Sequence, residues 1–149
     1  NYIQYAIEAQ LIHKIKRYDI LGKTLLETFE KYFLADIGLS LNTVGNTPEL
    51  ISGKLENIVL LELFSRGYHV DIGKNKTKEV DFIASLNNKK MYIQVCVSLS
   101  DEDVIKREYG AFEGISDSCP KIVLSLDESG FTTDKNGIQW MSIKDFLLK

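Results

Sequence analysis

The fold is decided by three stretches of sequence, LENIVLLEL at 55–63, EVDFIA at 79–84 and MYIQVCV at 91–97. The first is an apolar run with helical spacing, and Glu56 sits at the edge of its packed face. The other two are short and rich in β-branched and aromatic residues, which predicts two strands. Each stretch carries polar side chains among apolar ones. We therefore expect one helix and two strands to bring these polar groups together.

Asp81 lies in the first of the two strands, and Gln94 and Cys96 lie in the second. Alternate residues of a strand share a face, so Gln94 and Cys96 should project together, opposite their apolar neighbours. On a regular strand, Val80 and Phe82 should lie together on the face opposite Asp81. Taken singly, each acid is better interpreted as a solvated charge. The order of all the polar residues is what favours a site.

An acid on a helix, an acid on a strand and a polar-x-y pair on the next strand follow the order of the PD-(D/E)xK nuclease fold, which the chain resembles. An active member of that fold usually ends in Glu-x-Lys, whereas here the pair is Gln94-x-Cys96. Converging carboxylate and amide oxygens suit Mg²⁺ or Mn²⁺, which would polarise a phosphodiester and lower the pKa of an attacking water. The predicted metal ligands are Glu56, Asp81 and Gln94.

Cys96 stands where the resemblance implies a lysine that orients the water or stabilises charge at the phosphate. A thiol carries no positive charge, so a cation must come from elsewhere, and Lys106 or Arg107 on the following helix could supply it. Gln94 also removes a negative charge, which should weaken Mg²⁺ binding. We therefore expect weak or lost hydrolysis, and the sequence does not decide whether the domain is an enzyme. The candidate catalytic residues are Glu56, Asp81, Gln94, Lys106 and Arg107.

The flanking patterns predict an α-β-β-β-α-β order followed by a β-α tail. A helix is predicted from Thr47 to Arg66, with Pro48 at its first position and Gly67 after its end. The other predicted strands cover 68–72, 78–84, 90–99, 121–126 and 138–141, with hairpin turns at Asn75 and Asn87-Asn88. Two further helices are predicted over 101–115 and 143–148, with Ser100 and Ser142 as their N-caps.

The pattern differs before residue 47. It predicts the end of a helix, a strand over 11–18, and either a second strand or a short helix over 25–33. Residues 34–47 are rich in Gly, Asn and Thr, which is typical of a loop. We place a domain boundary there, with 1–46 as a small appendage. The remainder, 47–149, is predicted to be an α/β domain with a mixed sheet of about four or five strands flanked by helices.

Composition excludes several classes of protein. The net charge of −3 gives no general basic character for nucleic acid. The two cysteines and two histidines form no clustered pattern, which predicts neither a disulfide framework nor a zinc site. No apolar run approaches the roughly 20 residues of a membrane span, and no signal peptide is visible. We expect a cytoplasmic protein without membrane contact, and we expect the chain to be part of a longer protein.

A local basic patch is predicted near the start of the chain, where lysines and an arginine interleave with aromatic residues. Such a patch favours contact with nucleic acid, although a solvated hairpin fits the same pattern. Its basic residues are Lys14, Lys16, Arg17, Lys23 and Lys31.

A second resemblance covers the whole chain. It is carried by short motifs in a fixed order, among them RYD at 17–19, KYFLADIGL at 31–39, KEVDF at 78–82 and LSDE at 99–102. On these motifs the chain resembles the C-terminal region of prokaryotic AAA+-type ATPases, a domain of unknown function. The resemblance implies an absent N-terminal P-loop ATPase, a truncated winged-helix-like segment and linker over 1–46, and a nuclease-like domain over 47–149. It also implies Ile-Gln-Val in the third strand, which Gln94 fits.

The leading hypothesis is a nuclease-like accessory domain of an AAA+-type ATPase, which binds DNA or a partner with weak or lost metal-dependent cleavage. The expected partners are DNA and the protein's own ATPase domain, and oligomerisation is left open. One alternative is a non-catalytic module for protein interaction or self-association, which an exposed apolar patch would favour. Another alternative is an active Mg²⁺-dependent nuclease with an atypical site.

Overall fold

Eight strands pair in one mixed sheet in the computed structural model, which describes residues 1–41, 47–128, 132–134 and 136–149. The strands are β1 (Ile12–Asp19), β2 (Thr24–Leu34), β3 (His69–Asn75), β4 (Lys78–Leu86), β5 (Lys89–Val95), β6 (Lys121–Ser125), β7 (Thr132–Thr133) and β8 (Ile138–Ser142). The helices are α1 (Tyr2–Glu8), α2 (Gly38–Leu41), α3 (Pro48–Ser65), α4 (Glu102–Gly110) and α5 (Ile143–Leu148).

The sheet order is β2-β1-β3-β4-β5-β6-β8-β7. β3, β4 and β5 form an antiparallel meander, and β5, β6 and β8 run parallel to one another. The chain order α3-β3-β4-β5-α4-β6 confirms the predicted succession of elements and the mixed α/β class. The sheet is wider than predicted because β1 and β2 join it at one side and β7 pairs with β8 at the other.

β1 and β2 continue the sheet across the predicted domain boundary. β1 pairs in parallel with β3 and antiparallel with β2. Ile15 and Phe33 lie in the same apolar core as α3. The predicted boundary lies at the end of residues 42–46, which are outside the described residues. The division into two domains stays a prediction, and backbone pairing connects its two parts.

Apolar side chains cover both faces of the sheet. α3 and α5 pack on one face, and the end of α4 with the turn after it packs on the other. The first core contains Ile15, Phe33, Leu55, Val59, Leu60, Leu63, Val70, Ile72, Phe82, Ala84, Ile93, Val95, Ile122, Leu124, Met141, Ile143 and Phe146. The second contains Ile20, Val80, Ile83, Tyr92, Cys96, Ala111, Phe112, Ile115, Val123 and Ile138. Cys96, which directly follows β5, therefore lies on the face opposite Ile93 and Val95, as predicted.

α3 begins and ends where the sequence predicts. The Thr47 side chain accepts a hydrogen bond from the Leu50 N–H, and the helix passes through Gly53 without a break. Gly67 follows the end of the helix at φ +80°, a conformation that favours glycine. α5 likewise begins after Ser142, as predicted. None of the helices in the described part of the chain is long and apolar enough to cross a membrane.

α4 differs from the prediction at both ends. Its N-cap is Asp101 rather than Ser100, and the Asp101 carboxylate accepts from the Asp103 N–H. Ser100 is engaged elsewhere, because its own N–H donates to the Ser98 hydroxyl. The helix ends at Gly110, and the residues after it form a series of turns rather than the predicted continuation to residue 115.

Both predicted hairpins are present, and one of them has its turn a residue later than predicted. Asn87 and Asn88 join β4 to β5 with φ of +50° and +61°, the left-handed conformation that asparagine tolerates. The hairpin at Asn75 is also present, but Asn75 itself ends β3 and the turn is formed by Lys76 and Thr77. The buried amide of Asn75 donates to the carbonyls of Ala111 and Glu113, both at 2.8 Å, and so ties the hairpin to the turn after α4.

Residues 24–34 form a strand rather than a short helix, and that strand carries a bulge. Its pairing with β1 shifts between Ile15 and Arg17, so residues 27–30 bulge outward. Phe29 in the bulge has φ of +64° and is 80% exposed, and its carbonyl accepts a hydrogen bond from Arg17. The bulge interrupts the alternation of side chains, which explains why the pattern of 25–33 does not separate a strand from a helix.

Candidate functional site

An open cleft of about 700 Å³ lies between α3, α4, β2 and the end of β5. Charged side chains from three of these elements line it, Lys31 from β2, Glu56 from α3 and Arg107 from α4. Cys96 and the Tyr32 ring contribute to the same wall. Of the predicted site residues, Glu56 and Arg107 line this cleft together with Cys96, and Asp81, Gln94 and Lys106 do not.

Asp81 belongs to a bulge in β4. The pairing of β4 with β3 shifts between Ile83 and Val80, so that Asp81 and Phe82 together lie opposite Ile72. Because of this extra residue, Val80 packs in the core beside α4 and Phe82 packs in the core beside α3. The predicted placement of Val80 and Phe82 on one face is therefore wrong. Bulges re-aim side chains beside functional sites, and here the bulge turns Asp81 toward β5.

Asp81 and Gln94 extend the pairing of β4 with β5 through their side chains. The last paired residues of the two strands are Phe82 and Ile93. Beyond them, the Val95 N–H donates to Asp81 Oδ2 at 2.8 Å, and the Asp81 N–H donates to Gln94 Oε1 at 3.1 Å. Both side chains are buried. These oxygens therefore hold two strands together and do not line the cleft.

Burial also governs the charge of Asp81, which is only 7% exposed. Burial raises the pKa of this carboxyl well above its usual range, and the negative charge of Glu56 raises it further. The Val95 N–H and the Lys31 ammonium act in the opposite direction without outweighing burial. The structure thus brings Glu56 and Asp81 near each other, and both burial and this neighbour oppose ionisation of Asp81.

Lys31 places a positive charge beside Glu56 that also acts on Asp81. Its Nζ lies 2.6 Å from Glu56 Oε2 and 3.2 Å from Glu79 Oε1, and 5.6 Å from the centre of the Phe33 ring. Arg17 binds the other oxygen of Glu79. Burial by itself would lower the pKa of Lys31, but the neighbouring carboxylates, Glu56 above all, raise it overall. The ammonium therefore stays charged.

Of the two cations predicted on α4, Arg107 lines the cleft. Its Nε and Nη2 donate to Glu108 Oε1 at 2.9 and 2.7 Å, and Glu108 is buried, which fixes the guanidinium at the cleft. Lys106 instead pairs with Glu102 and Asp103 on its own helix, with Nζ to oxygen distances of 4.0 and 3.6 Å. The structure therefore brings Arg107 to the site and leaves Lys106 outside it.

The predicted metal ligands do not fit a metal ion in this arrangement. In the part of the chain that the structure describes, no group of three His, Cys, Asp or Glu side chains could hold one ion. Glu56 is bound to Lys31, and the oxygens of Asp81 and Gln94 accept backbone N–H groups. Mg²⁺ and Mn²⁺ need oxygens that converge on one point. Here one oxygen each of Glu56, Asp81 and Gln94 is already engaged, and the last two side chains do not line the cleft.

The Cys96 thiol cannot replace the expected lysine. It is buried, and burial together with the charges of Glu108, Asp127 and Asp81 raises the pKa of Cys96 to about 12. A thiol with this pKa stays protonated at neutral pH and is a poor nucleophile. Cys96 therefore contributes packing to the cleft wall.

Sequence reasoning missed Glu79 and Glu108 and assigned Lys31 only to a basic patch. Lys31 lies 25 residues before Glu56 on a bulged strand, so no spacing rule connects the two residues. Glu79 could have been found from the sequence, because it precedes Asp81 by two residues in the same strand. Glu108 carried a weaker signal, since it follows the candidate Arg107 directly.

Comparison with known proteins gives a relative and no function. No family model and no solved structure matches the chain. An uncharacterized protein of Haemophilus influenzae is 36% identical over 149 residues, which cover 100% of this chain and 36% of that protein. The chain thus spans about a third of the length of the curated relative that it matches. Over its whole length, the chain is similar to one segment of a longer protein.

Proposed function

We propose that the chain is a nuclease-like accessory domain that binds the sugar-phosphate backbone of nucleic acid in the cleft, with metal-dependent cleavage weak or lost. The main supporting observation is Arg107, whose side chain is 71% exposed at the cleft while buried Glu108 holds it. A guanidinium carries five N–H donors, of which Glu108 accepts from Nε and Nη2. The remaining donors suit the oxygens of a phosphate group.

The nuclease-like character is supported by the order of elements and by the polar residues that they carry. Glu56 of α3 and Cys96 after β5 line the cleft, Asp81 of β4 and Gln94 of β5 join the two strands, and these elements follow one another in the order of the PD-(D/E)xK fold. By the resemblance of the whole chain, the full protein would also carry a P-loop ATPase. The greater length of the Haemophilus influenzae relative agrees with a protein of several parts.

Loss of cleavage is favoured by the state of the site's oxygens. Asp81 is buried with a raised pKa, and its carboxylate accepts a backbone N–H. Gln94 is neutral, and Cys96 provides no cation. Metal-assisted hydrolysis needs ligands that hold an ion beside the scissile phosphate. Binding needs only donors that face the cleft, and Arg107 supplies them.

Two neighbouring substitutions on α4 test the binding site. Arg107→Ala should weaken the binding of labelled single-stranded, duplex or branched DNA about tenfold at low salt, and should lower the slope of log K against log salt by about 0.9 for duplex DNA and about 0.7 for single strands. Lys106→Ala is the matched control, because its side chain has the same charge and is 72% exposed but lies outside the cleft. It should change affinity by less than about twofold. Fluorescence anisotropy at several NaCl concentrations measures both quantities.

Equal losses of DNA affinity in both variants would mean that the positive charges of the surface attract DNA without a defined site. That result would contradict a site at Arg107. A wild-type chain that binds no DNA would overturn nucleic-acid binding altogether. The cleavage half of the proposal is tested separately, by incubating the same DNA with Mn²⁺. Cleavage by the wild type that disappears in Asp81→Ala would show an active nuclease with an atypical site.

A second candidate function is protein interaction, which the exposed apolar side chains of the first part of the chain favour. α1 buries none of its residues, and its Tyr2 and Tyr5 rings are exposed. On the edge strand β2, Leu25, Phe29 and Tyr32 are exposed as well. Single exposed apolar residues are ordinary, but their concentration on one helix and one edge strand marks an interaction surface. A partner that is captured equally by wild type and Arg107→Ala would favour this function.

A further inference from the structure

The Lys31 ammonium lies at the point where two carboxylates from different elements meet. Glu56 comes from α3 and Glu79 from β4, and their oxygens lie 2.6 and 3.2 Å from Nζ. Phe33 closes one side of the ammonium with its ring, and Arg17 fixes the second oxygen of Glu79. The lysine side chain is only 30% exposed. These contacts hold the ammonium in one position, unlike the ammonium of a flexible surface ion pair.

Two carboxylates from different elements are also what a hard divalent cation binds. Mg²⁺ commonly takes one or two protein carboxylates and keeps several waters. A metal ion between Glu56 and Glu79 would have to occupy the space of Nζ and would meet its positive charge. The two cations are therefore mutually exclusive at this point.

We propose that Lys31 is the resident cation of this site and excludes a divalent metal ion from it, because its ammonium occupies the position between Glu56 and Glu79. This role goes beyond nucleic-acid binding and does not depend on it. It accounts for the engaged state of Glu56 without any appeal to catalysis.

Tethering gives the lysine its advantage over an ion from solution. Lys31 is carried by β2, and the Asn57 side chain of α3 binds the backbone of Leu34 close by in that strand. The ammonium is thus delivered to Glu56 from a strand that is fixed to the same helix. An intramolecular partner acts at an effective concentration set by its tether, so the ammonium holds this position ahead of dilute ions from solution.

Removing the charge of Lys31 should open the site to metal. Lys31→Met keeps an unbranched apolar side chain that is one atom shorter, and it leaves Glu56 and Glu79 without this cation. We expect the variant to bind Mn²⁺ at least about tenfold more tightly than the wild type, with a matching rise of its melting temperature in Mn²⁺. Isothermal calorimetry and thermal unfolding, with and without MnCl₂, measure the two effects. NaCl at equal ionic strength controls for screening.

Two further variants separate this role from a general loss of charge. Lys14→Met removes a lysine that pairs with Glu30, at 2.7 Å, on the same pair of strands but away from the cleft, and it should gain no Mn²⁺ affinity. Lys31→Met/Glu56→Gln removes one of the two carboxylates as well and should lose the gained affinity.

Failure of the single variant to fold would also be informative. Circular dichroism would then show folding restored by Mn²⁺, or by Glu56→Gln in the same chain, because either change rebalances the charge. The inference is overturned if Lys31→Met is folded and binds Mn²⁺ no better than the wild type. It is equally overturned if the variant is unfolded and neither Mn²⁺ nor Glu56→Gln restores it.

Discussion

The buried carboxyl of Asp81 makes the fold less stable at neutral pH. Its carboxyl is buried, and burial together with the charge of Glu56 raises its pKa. A carboxyl with a raised folded pKa contributes stability below its unfolded pKa, near about 3.9, and this contribution is lost as pH rises through the folded pKa. At neutral pH, Asp81 therefore lowers the free energy of unfolding.

Asp81→Asn should increase the free energy of unfolding at neutral pH by about 0.5–2 kcal/mol. The amide oxygen of asparagine accepts the Val95 N–H as the carboxylate does, without a buried charge. The gain should shrink as pH falls and vanish below about pH 4, where the wild-type carboxyl is protonated in both states. Urea unfolding between about pH 4 and 8 measures the difference.

Glu79 provides the opposite case. Burial by itself would raise the pKa of Glu79, but Arg17 and Lys31 outweigh it and hold the pKa below its usual range. Its contribution is present above the unfolded pKa and is lost as pH falls through the folded pKa. Glu79→Gln should therefore lower the free energy of unfolding at neutral pH.

If the stability gained by Asp81→Asn did not change with pH, that result would contradict a raised pKa of Asp81.

At the scale of single residues, the acids of the candidate site can be predicted from the sequence, but the cations that pair with them cannot. Glu56 lines the cleft, whereas Asp81 is turned toward β5 by a bulge that strand periodicity does not reveal, and its side chain and that of Gln94 bind backbone outside the cleft. Lys31 could not be predicted, because its position depends on how a bulged strand packs against α3. Arg107 and Lys106 are adjacent in sequence, and only the packing of α4 decides which of them lines the cleft.

At the scale of elements, Asn57 couples α3 to β2. The Leu34 N–H donates to Asn57 Oδ1 at 2.8 Å, and Asn57 Nδ2 donates to the Leu34 carbonyl at 2.8 Å. The Asn57 side chain thus acts as one more strand partner for β2, at the end that carries Lys31. It is buried, so no water replaces these bonds readily.

Asn57→Ala should lower the free energy of unfolding by about 2–3 kcal/mol, because it leaves the N–H and the carbonyl of Leu34 without their partner. Ser65→Ala, on the exposed side of the same helix, is the control and should change it by less than about 0.5 kcal/mol. Chemical denaturation measures both variants. Similar values for the two would show that the contact to β2 contributes little.

The elements themselves follow the sequence where local signals agree. Thr47 and Gly67 bound α3, and Asn87-Asn88 form the turn between β4 and β5. Misses occur where a contact distant in sequence decides. Asn75 is drawn into the sheet by carbonyls after α4, and β7 has only two residues, too few for a pattern.

At the scale of the whole molecule, the sheet joins the parts that the sequence separates. β1 pairs with β3 across the predicted boundary, and Ile15 and Phe33 complete the core under α3. Periodicity alone cannot reveal this pairing, because parallel strands distant in sequence leave no local signal. The mixed α/β class is predictable, whereas the width of the sheet is not.

A fragment of residues 47–149 should therefore not fold as the full chain does. Without β1 and β2, the β3 edge and the apolar surface that Ile15 and Phe33 cover are exposed. We expect the fragment to aggregate or to unfold at lower urea than the full chain, measured by sedimentation and circular dichroism. A soluble fragment with the same unfolding midpoint would establish two independent domains.

The bulge in β2 also bears on how the molecule behaves when it is crowded. A long flat strand at the margin of a sheet is a template on which other molecules add strands and start cross-β fibres. Among the described strands, one margin of this sheet is β7, with two residues, and the other is β2, interrupted at residues 27–30. Neither margin presents an unbroken ladder, so the sheet resists growth into fibrils.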